Sequence, residues 1–242
     1  MRYSYDLHIH SCLSPCADND NTPNDIAGMA YLCGIKIAAL TDHNTARNCP
    51  AFFEAAARYG IIPVAGMELT TAEDIHVVCL FERLDSALKF DEYLQKRRVL
   101  IKNRPDIFGD QLILDSSDQV IGREENLLSN ATTVSIEEAP DLIKKFGGIC
   151  YPAHIDRDAN GIIAVLGTIP PTPAFTCYEI RSRESVEEYV KKYGLTDKRI
   201  VVSSDAHYLT DIKDSDNYFE LDASSDSPDE VRAALFKLLN GI

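Results

Sequence analysis

Seven short runs, residues 3–9, 35–40, 61–65, 75–80, 148–151, 177–180 and 200–203, are rich in apolar and β-branched side chains, and most are continuously apolar. A strand without polar alternation has both faces covered, as in a parallel sheet or barrel wrapped by helices. Helical patterns fill the gaps. Thr22 and Pro23 open one that reaches Cys33 and stops at Gly34; residues 50–59 form another, ended by Gly60, and 84–101 a third. Ser135 with Glu138, and Ser227 with Glu230 behind Pro228, have capping-box spacing, with stops at Gly147 and Gly241. Strand then helix, repeated roughly every 20–40 residues, predicts an α/β fold of the (β/α)-barrel or doubly wound kind. Its 242 residues suit one domain, 1–242.

Residues 97–133 break the rhythm. Two apolar stretches within 111–121 flank a polar turn, a hairpin signal. The segment reads as an insertion that either shapes a pocket or is a surface hairpin.

All six histidines lie in or beside the strand segments: His8 and His10, His43, His76, His154 and His207. In a strand, residues two apart share a face, so His8 and His10 project together, with Asp6 two residues earlier. Asp42 and His43 follow the run 35–40, Glu68 follows 61–65, and His76 opens the next run. His154 follows 148–151, and Asp205 with His207 follows 200–203. Polar residues just past buried strands sit where (β/α) folds place their chemistry. Imidazoles mixed with carboxylates are the usual donors to Zn, Mn or Fe. Two such ions about 3.5–4 Å apart activate a water and clamp phosphoryl oxygens.

In order and approximate spacing, Asp6-Leu7-His8-Ile9-His10-Ser11, Thr41-Asp42-His43, Gly66-Met67-Glu68, His154 after Pro152 and Asp205-Ala206-His207 resemble the motifs of the PHP (polymerase and histidinol phosphatase) superfamily, over residues 6 to about 210. The combination is specific although each motif alone is not. The resemblance implies a distorted (β/α)7 barrel with two to three divalent ions at its C-terminal mouth. It implies hydrolysis of a phosphomonoester or small nucleotide phosphodiester by a metal-bridging hydroxide. Carried over by position, one ion would use His8, His10, Glu68 and Asp205, and a second Glu68, His76 and His154. The third would use His43, His207 and an acid from the first motif. Here the chain departs from the family pattern, reading Cys16-Ala17-Asp18-Asn19-Asp20 where many relatives read Ser-Asp-Gly. Asp18 is the expected ligand and Asp20 the next choice. Asp42 could orient a ligand imidazole or protonate the leaving group. Arg157 could bind substrate phosphate, as could Arg181 and Arg183.

A net charge of −14 argues against a long nucleic-acid ligand and favours a small phosphorylated substrate. The one basic cluster, Lys96, Arg97, Arg98, Lys102 and Arg104, reads as a solvated helix face. No apolar run is long enough for a membrane span, and the N-terminus lacks a secretory apolar region, so a cytoplasmic location is expected. The seven cysteines show no CxxC pair and read as reduced thiols; Cys12 and Cys16, near the proposed site, read as buried or loop thiols. An amidohydrolase-like metal hydrolase and a non-catalytic metal-binding module are the alternatives. A carboxylated lysine would mark the former where this chain has Glu68.

Overall fold

The computed structural model describes residues 1–214 and 216–241. β1 (Arg2–Ile9), β2 (Ile37–Leu40) and β3 (Ile62–Thr70) pair in parallel, with α1 (Pro23–Leu32) and α2 (Cys49–Tyr59) carrying the chain back between them. The Thr22 side chain accepts from the Asp25 N–H at the start of α1, and Gly60 ends α2 in a left-handed conformation. β4 (His76–Phe81) departs from the expected alternation. It returns from β3 as a hairpin, antiparallel, with Thr70 opposite His76. The strand expected at 61–65 therefore continues to Thr70, since β4 offers it a full-length partner.

α3 (Leu84–Leu94) is shorter than the helix expected to Ile101. Past it the backbone turns to extended pairing, Arg98 with Thr132 and Lys102 with Asn126. The basic cluster is not a helix face: Arg97 pairs with Glu138, Arg98 with Glu124 and Arg104 with Asp106. α4 (Pro105–Phe108) and the antiparallel pair β5 (Leu112–Leu114) and β6 (Val120–Arg123) follow. α5 (Ala139–Lys145) leads to β7 (Gly148–Pro152), antiparallel to β4. After α6 (Ile162–Leu166), β8 (Cys177–Glu179), α7 (Val186–Tyr193) and β9 (Arg199–Val201), the chain closes with β10 (Tyr218–Glu220) and α8 (Pro228–Leu239).

The α/β fold is organised on a curled, half-barrel sheet in the order β10-β1-β2-β3-β4-β7. β8 and β9 form a separate parallel pair. That pair and the loop after it are tied to the sheet just past β7 and β1: the Ile155 N–H donates to the Glu179 carbonyl (2.9 Å), and the His10 N–H to the Ala206 carbonyl (2.9 Å). Tyr3, Tyr5 and Leu7 of β1, Ile37 of β2, Val64 of β3, Val78 of β4 and Tyr151 of β7 fill the concave side. α8 joins this cluster through Val231, Leu235 and Leu239, and reaches the N-terminal strand ends, where the Leu239 carbonyl accepts from Thr176 and Arg232 donates to the Pro63 carbonyl. The opposite, C-terminal mouth is left to polar residues. The outward-facing strand residues pack under α1, α2, α3 and α5 in a second cluster. Among the described residues no helix is long and apolar enough to cross a membrane. All seven cysteines are free thiols.

Candidate metal centre

Glu68 lies on the face of β3 that also carries Ile62 and Val64, and His76 on the face of β4 that carries Val78 and Leu80, so both point into the concave side. Gly66 makes the approach of these strands feasible. A Cβ there would meet the Cys79 carbonyl at 2.7 Å and the Thr41 methyl at 3.0 Å. His76 stands at the start of its strand yet reaches the mouth, because an antiparallel strand begins where its partner ends. β7 then runs parallel to β3, which brings His154 back to the same rim.

β1 needs a further device. Tyr3, Tyr5 and Leu7 face the concave side, so strict alternation would turn His8 and His10 outward. The register slips between Asp6, opposite Ala38, and Ile9, opposite Leu40. That bulge inverts the alternation, so His8 and His10 turn in and Ile9 packs outward. Asp6 stays apart from the imidazole cluster. Its Oδ1 accepts from the backbone N–H groups of His8 and Ser204, and burial raises its carboxyl to about 6.

His8 and His10 each stand close to two carboxylates, Glu68 and Asp205. His8 Nε2 is 3.1 Å from His10 Nε2, 3.4 Å from Glu68 Oε1 and 3.5 Å from Asp205 Oδ1. His10 Nε2 is 3.4 Å from Glu68 Oε2 and 3.4 Å from Asp205 Oδ1. Donors on a tetrahedral shell with bonds of 2.0–2.2 Å stand about 3.3–3.6 Å apart, so the spacing suits one ion. Glu68 serves further partners: His76 Nδ1 and His154 Nε2 are each 2.9 Å from Oε1, and His43 Nδ1 is 3.0 Å from Oε2. His43 with Glu68 and His76, and His10 with His43 and His207, are two more groups with mutually close donor atoms. His43 Nδ1, His76 Nδ1 and Asp205 Oδ1 are buried without a hydrogen bond of acceptable geometry. Buried polar atoms are almost always satisfied, so unsatisfied donors converging on one place fit a bound cation.

Tautomers support the same fit. Ser14 donates to the Asp42 carboxylate (2.7 Å), so its oxygen accepts from His10 Nδ1 (2.9 Å). His8 Nδ1 donates to Glu179 (2.8 Å), and His207 Nδ1 to the Asp205 carbonyl (2.8 Å). Each ring is thereby anchored through Nδ1, with Nε2 left to face the cluster, as metal-bound imidazoles are. His154 and Asp205 adopt left-handed backbone conformations, φ 26° and 52°. Such strain, about 1–3 kcal/mol each, persists where a site over-determines the backbone.

Electrostatics follow from charge balance. Burial opposes ionisation of Glu68, but His76, His8 and His43 pull it well below the usual carboxylate range. Burial likewise opposes ionisation of Asp205, and His8 and His10 overcome it. Burial would depress His8, yet Glu179, Glu68 and Asp205 raise it well above the ordinary imidazole value. Burial and His207 drive neighbouring His10 well below it.

His8, His10, His43, Glu68, His76, His154, Asp205 and His207 are thus brought together. Asp18 is not. Its exposed carboxylate accepts from the Asp20 N–H (2.9 Å), and Asp20 is exposed as well. The cause is local: an Asx turn engages the side chain, while the Asp18 N–H is tied to the His207 carbonyl (3.0 Å). Asp42 is buried behind the cluster rather than open to it, with its oxygens taken by the Ser11 N–H, the Ser11 hydroxyl and Ser14. It contacts His10 through Ser14 and does not line the cavity over the cluster. Arg157 and Arg181 do reach the rim, 3.4 and 3.7 Å from Asp205 Oδ2. Arg183 turns away to the Asp216 carbonyl and Asn217. A cavity of about 550 Å³ opens over the cluster, lined by Cys16, His43, His76, Arg157, Asp205 and His207 among others.

Glu179 escaped the sequence reading. The signal was a lone acid in an otherwise apolar strand. It is fully buried, and its Oε1 accepts from both His8 Nδ1 and the His154 N–H. Glu179→Gln keeps that acceptor but loses the charge behind His8. Metal affinity, measured by chelator competition, falls about 10–100-fold. The fold persists at a cost of about 1–3 kcal/mol, because the new amide NH2 replaces an oxygen that has no partner. Unchanged affinity would mean Glu179 has no bearing on the ligands.

Residues 6–146 match the PHP domain family. The chain belongs to that family. The matched stretch carries His8, His10, His43, Glu68 and His76, while His154, Asp205 and His207 lie beyond it and are added by the fold. A 5'-3' exoribonuclease of Haemophilus influenzae is 33% identical over 116 residues, 46% of this chain and 40% of that protein. Among solved structures, the lesion-specific endonuclease Q of Pyrococcus furiosus superposes on all of this chain and 56% of its own, with a TM-score of 0.69 and 16% identity. A protein of Bifidobacterium adolescentis, described as a proposed metal-dependent phosphoesterase, aligns over 96% of this chain and 95% of its own, with a TM-score of 0.59 and 17% identity. The chain therefore spans well under two thirds of the length of the first two relatives.

Proposed function

We propose that this PHP protein is a metal-dependent phosphoesterase that cleaves a phosphomonoester or a small nucleotide phosphodiester. The observation that carries the reading is one buried carboxylate, Glu68, shared by donor groups that lie under two rim arginines. In this reading β1, β2, β3, β4, β7, β8 and β9 are the seven staves of the distorted barrel, and residues 97–133 are an insertion into it. The first ion belongs to His8, His10, Glu68 and Asp205, and the second to Glu68, His76 and His154, with His43 beside them. Zn, Mn or Fe suits such mixed sets. Bound there, the ions would supply an activated water and a sink for charge on the phosphoryl oxygens.

The chain's own residues do the rest. Glu179, Ser14 and the Asp205 carbonyl fix the tautomers of His8, His10 and His207. Arg157 and Arg181 present guanidinium forks at the rim, suited to the non-bridging oxygens of a phosphate. A second cavity of about 530 Å³ meets the first at Arg157, Arg181 and Asp211, and Lys213 lines it. It offers room for the group attached to the phosphate. The net charge of −14 favours a small substrate, whereas the relatives named as an exoribonuclease and an endonuclease keep a nucleic-acid end among the candidates. Metal ions set the local field more strongly than a diffuse surface charge.

Metal-loaded protein is expected to hydrolyse members of a panel of a chromogenic phosphomonoester, a phosphodiester and a 5'-phosphorylated oligonucleotide, and chelation should stop it. Full metal occupancy with no ester cleaved, or cleavage confined to amide and lactone substrates, would refute the proposal.

A further inference from the structure

We propose that the Cys16 thiolate is a ligand to the outermost ion, bound together with His43 and His207. The inference rests on the reading of the cluster as a metal centre, and it changes the donor chemistry of that centre. The acids expected to serve this position point away: Asp18 and Asp20 are exposed, and the Asp18 carboxylate is engaged by the Asp20 N–H. Their loop is nonetheless fixed at the mouth. The Ala17 N–H donates to the Ser14 carbonyl (3.1 Å), the Asp18 N–H to the His207 carbonyl (3.0 Å) and the Cys12 N–H to the Asn21 carbonyl (2.8 Å). Cys16, at the tip, is exposed to solvent as those acids are, but unlike them it lines the cavity over the cluster, beside His43 and His207.

Two observations independent of the cysteine point to a ligand here. His10, His43 and His207 place donor atoms within 4.8 Å of one another. His207 lines the same cavity with its Nδ1 already donated to the Asp205 carbonyl (2.8 Å), which leaves its Nε2 for a ligand. Cys12 is turned elsewhere, with its thiol toward the Leu112 carbonyl, and Cys49, Cys79 and Cys177 point at backbone carbonyls in the core. A thiolate with imidazoles is a soft set. It favours Zn over Mn or Mg, where a carboxylate in the same place would not discriminate.

Cobalt(II) tests the assignment, because a thiolate ligand gives a near-ultraviolet sulfur-to-cobalt charge-transfer band that imidazole and carboxylate do not. Cobalt-loaded full-length protein should show that band, with ions per chain counted by elemental analysis. Cys16→Ser should lose the band and one ion per chain, and Cys16→Asp should recover the ion without the band. Cys12→Ala should keep both. Cobalt bound without the band, or a Cys16→Ser protein that retains it, overturns the Cys16 assignment and leaves the metal centre standing. Failure to bind cobalt at all overturns both.

Discussion

Glu68→Gln lowers kcat/KM on the best phosphoester by about 10³-fold, equivalent to ~4 kcal/mol of transition-state stabilisation. Glu68 is the one carboxylate within reach of His8, His10, His43, His76 and His154, so its charge is shared by every donor group except the outer one. The amide retains the shape but not the charge, and its NH2 would point at a cation or at an imidazole proton. The fold should persist. Without the Glu68 charge, His8 and His43 lose one of the causes of their raised pKa, while Glu179 and Asp205 beside His8 and Cys16 beside His43 remain. Steady-state kinetics, elemental analysis and circular dichroism together check this. Activity within tenfold of the parent, on a folded protein, would remove Glu68 from its bridging role.

The second large effect is the loss of thermal stability on chelation, which should grow with pH. A ligand present at 1,000 times its Kd adds about 4 kcal/mol to the folded state. Stripping a tightly held ion should lower Tm by several degrees. In the metal-free protein His8, His43 and His207 have raised folded-state pKa values. Their contribution is complete below the unfolded value of about 6.5 and fades as pH rises through the folded values. Glu68 and Asp205 are depressed, so their contribution holds above about 4 and is lost only in acid. His10 and His76 are lowered and offset part of this near pH 6.5, but against three raised imidazoles the metal-free protein still weakens between pH 6 and 8. Metal binding displaces the same imidazole protons, so the loaded protein gains over that interval. The difference in Tm between loaded and chelated protein should be larger at pH 8 than at pH 6. Calorimetry at the two values decides it, and a difference that shrinks with pH would contradict proton displacement from His8.

Where sequence reasoning was short, the reasons are physical. The helix expected to Ile101 ends at Leu94 because its continuation pairs with Asn126 and Thr132, residues some thirty positions away that local propensity cannot register. Glu179 resembled a stray acid because its partner, His8, is 171 residues distant. Asp18 and Asp20 are the acids that follow the first motif, and only the folded loop shows that Cys16, and neither of them, lines the cavity.

The sequence by itself determined the strand-helix alternation, the family and eight of the clustered donors, because apolar runs and the imidazoles beside them are local patterns that survive reading in one dimension. The tertiary structure decided how those donors meet. A bulge in β1 turns His8 and His10 inward, an antiparallel β4 carries His76 to the mouth, and Asp42 is placed behind the cluster rather than in it. Those outcomes depend on strand direction and register, which are fixed by pairing between distant segments and leave no mark in the residues themselves.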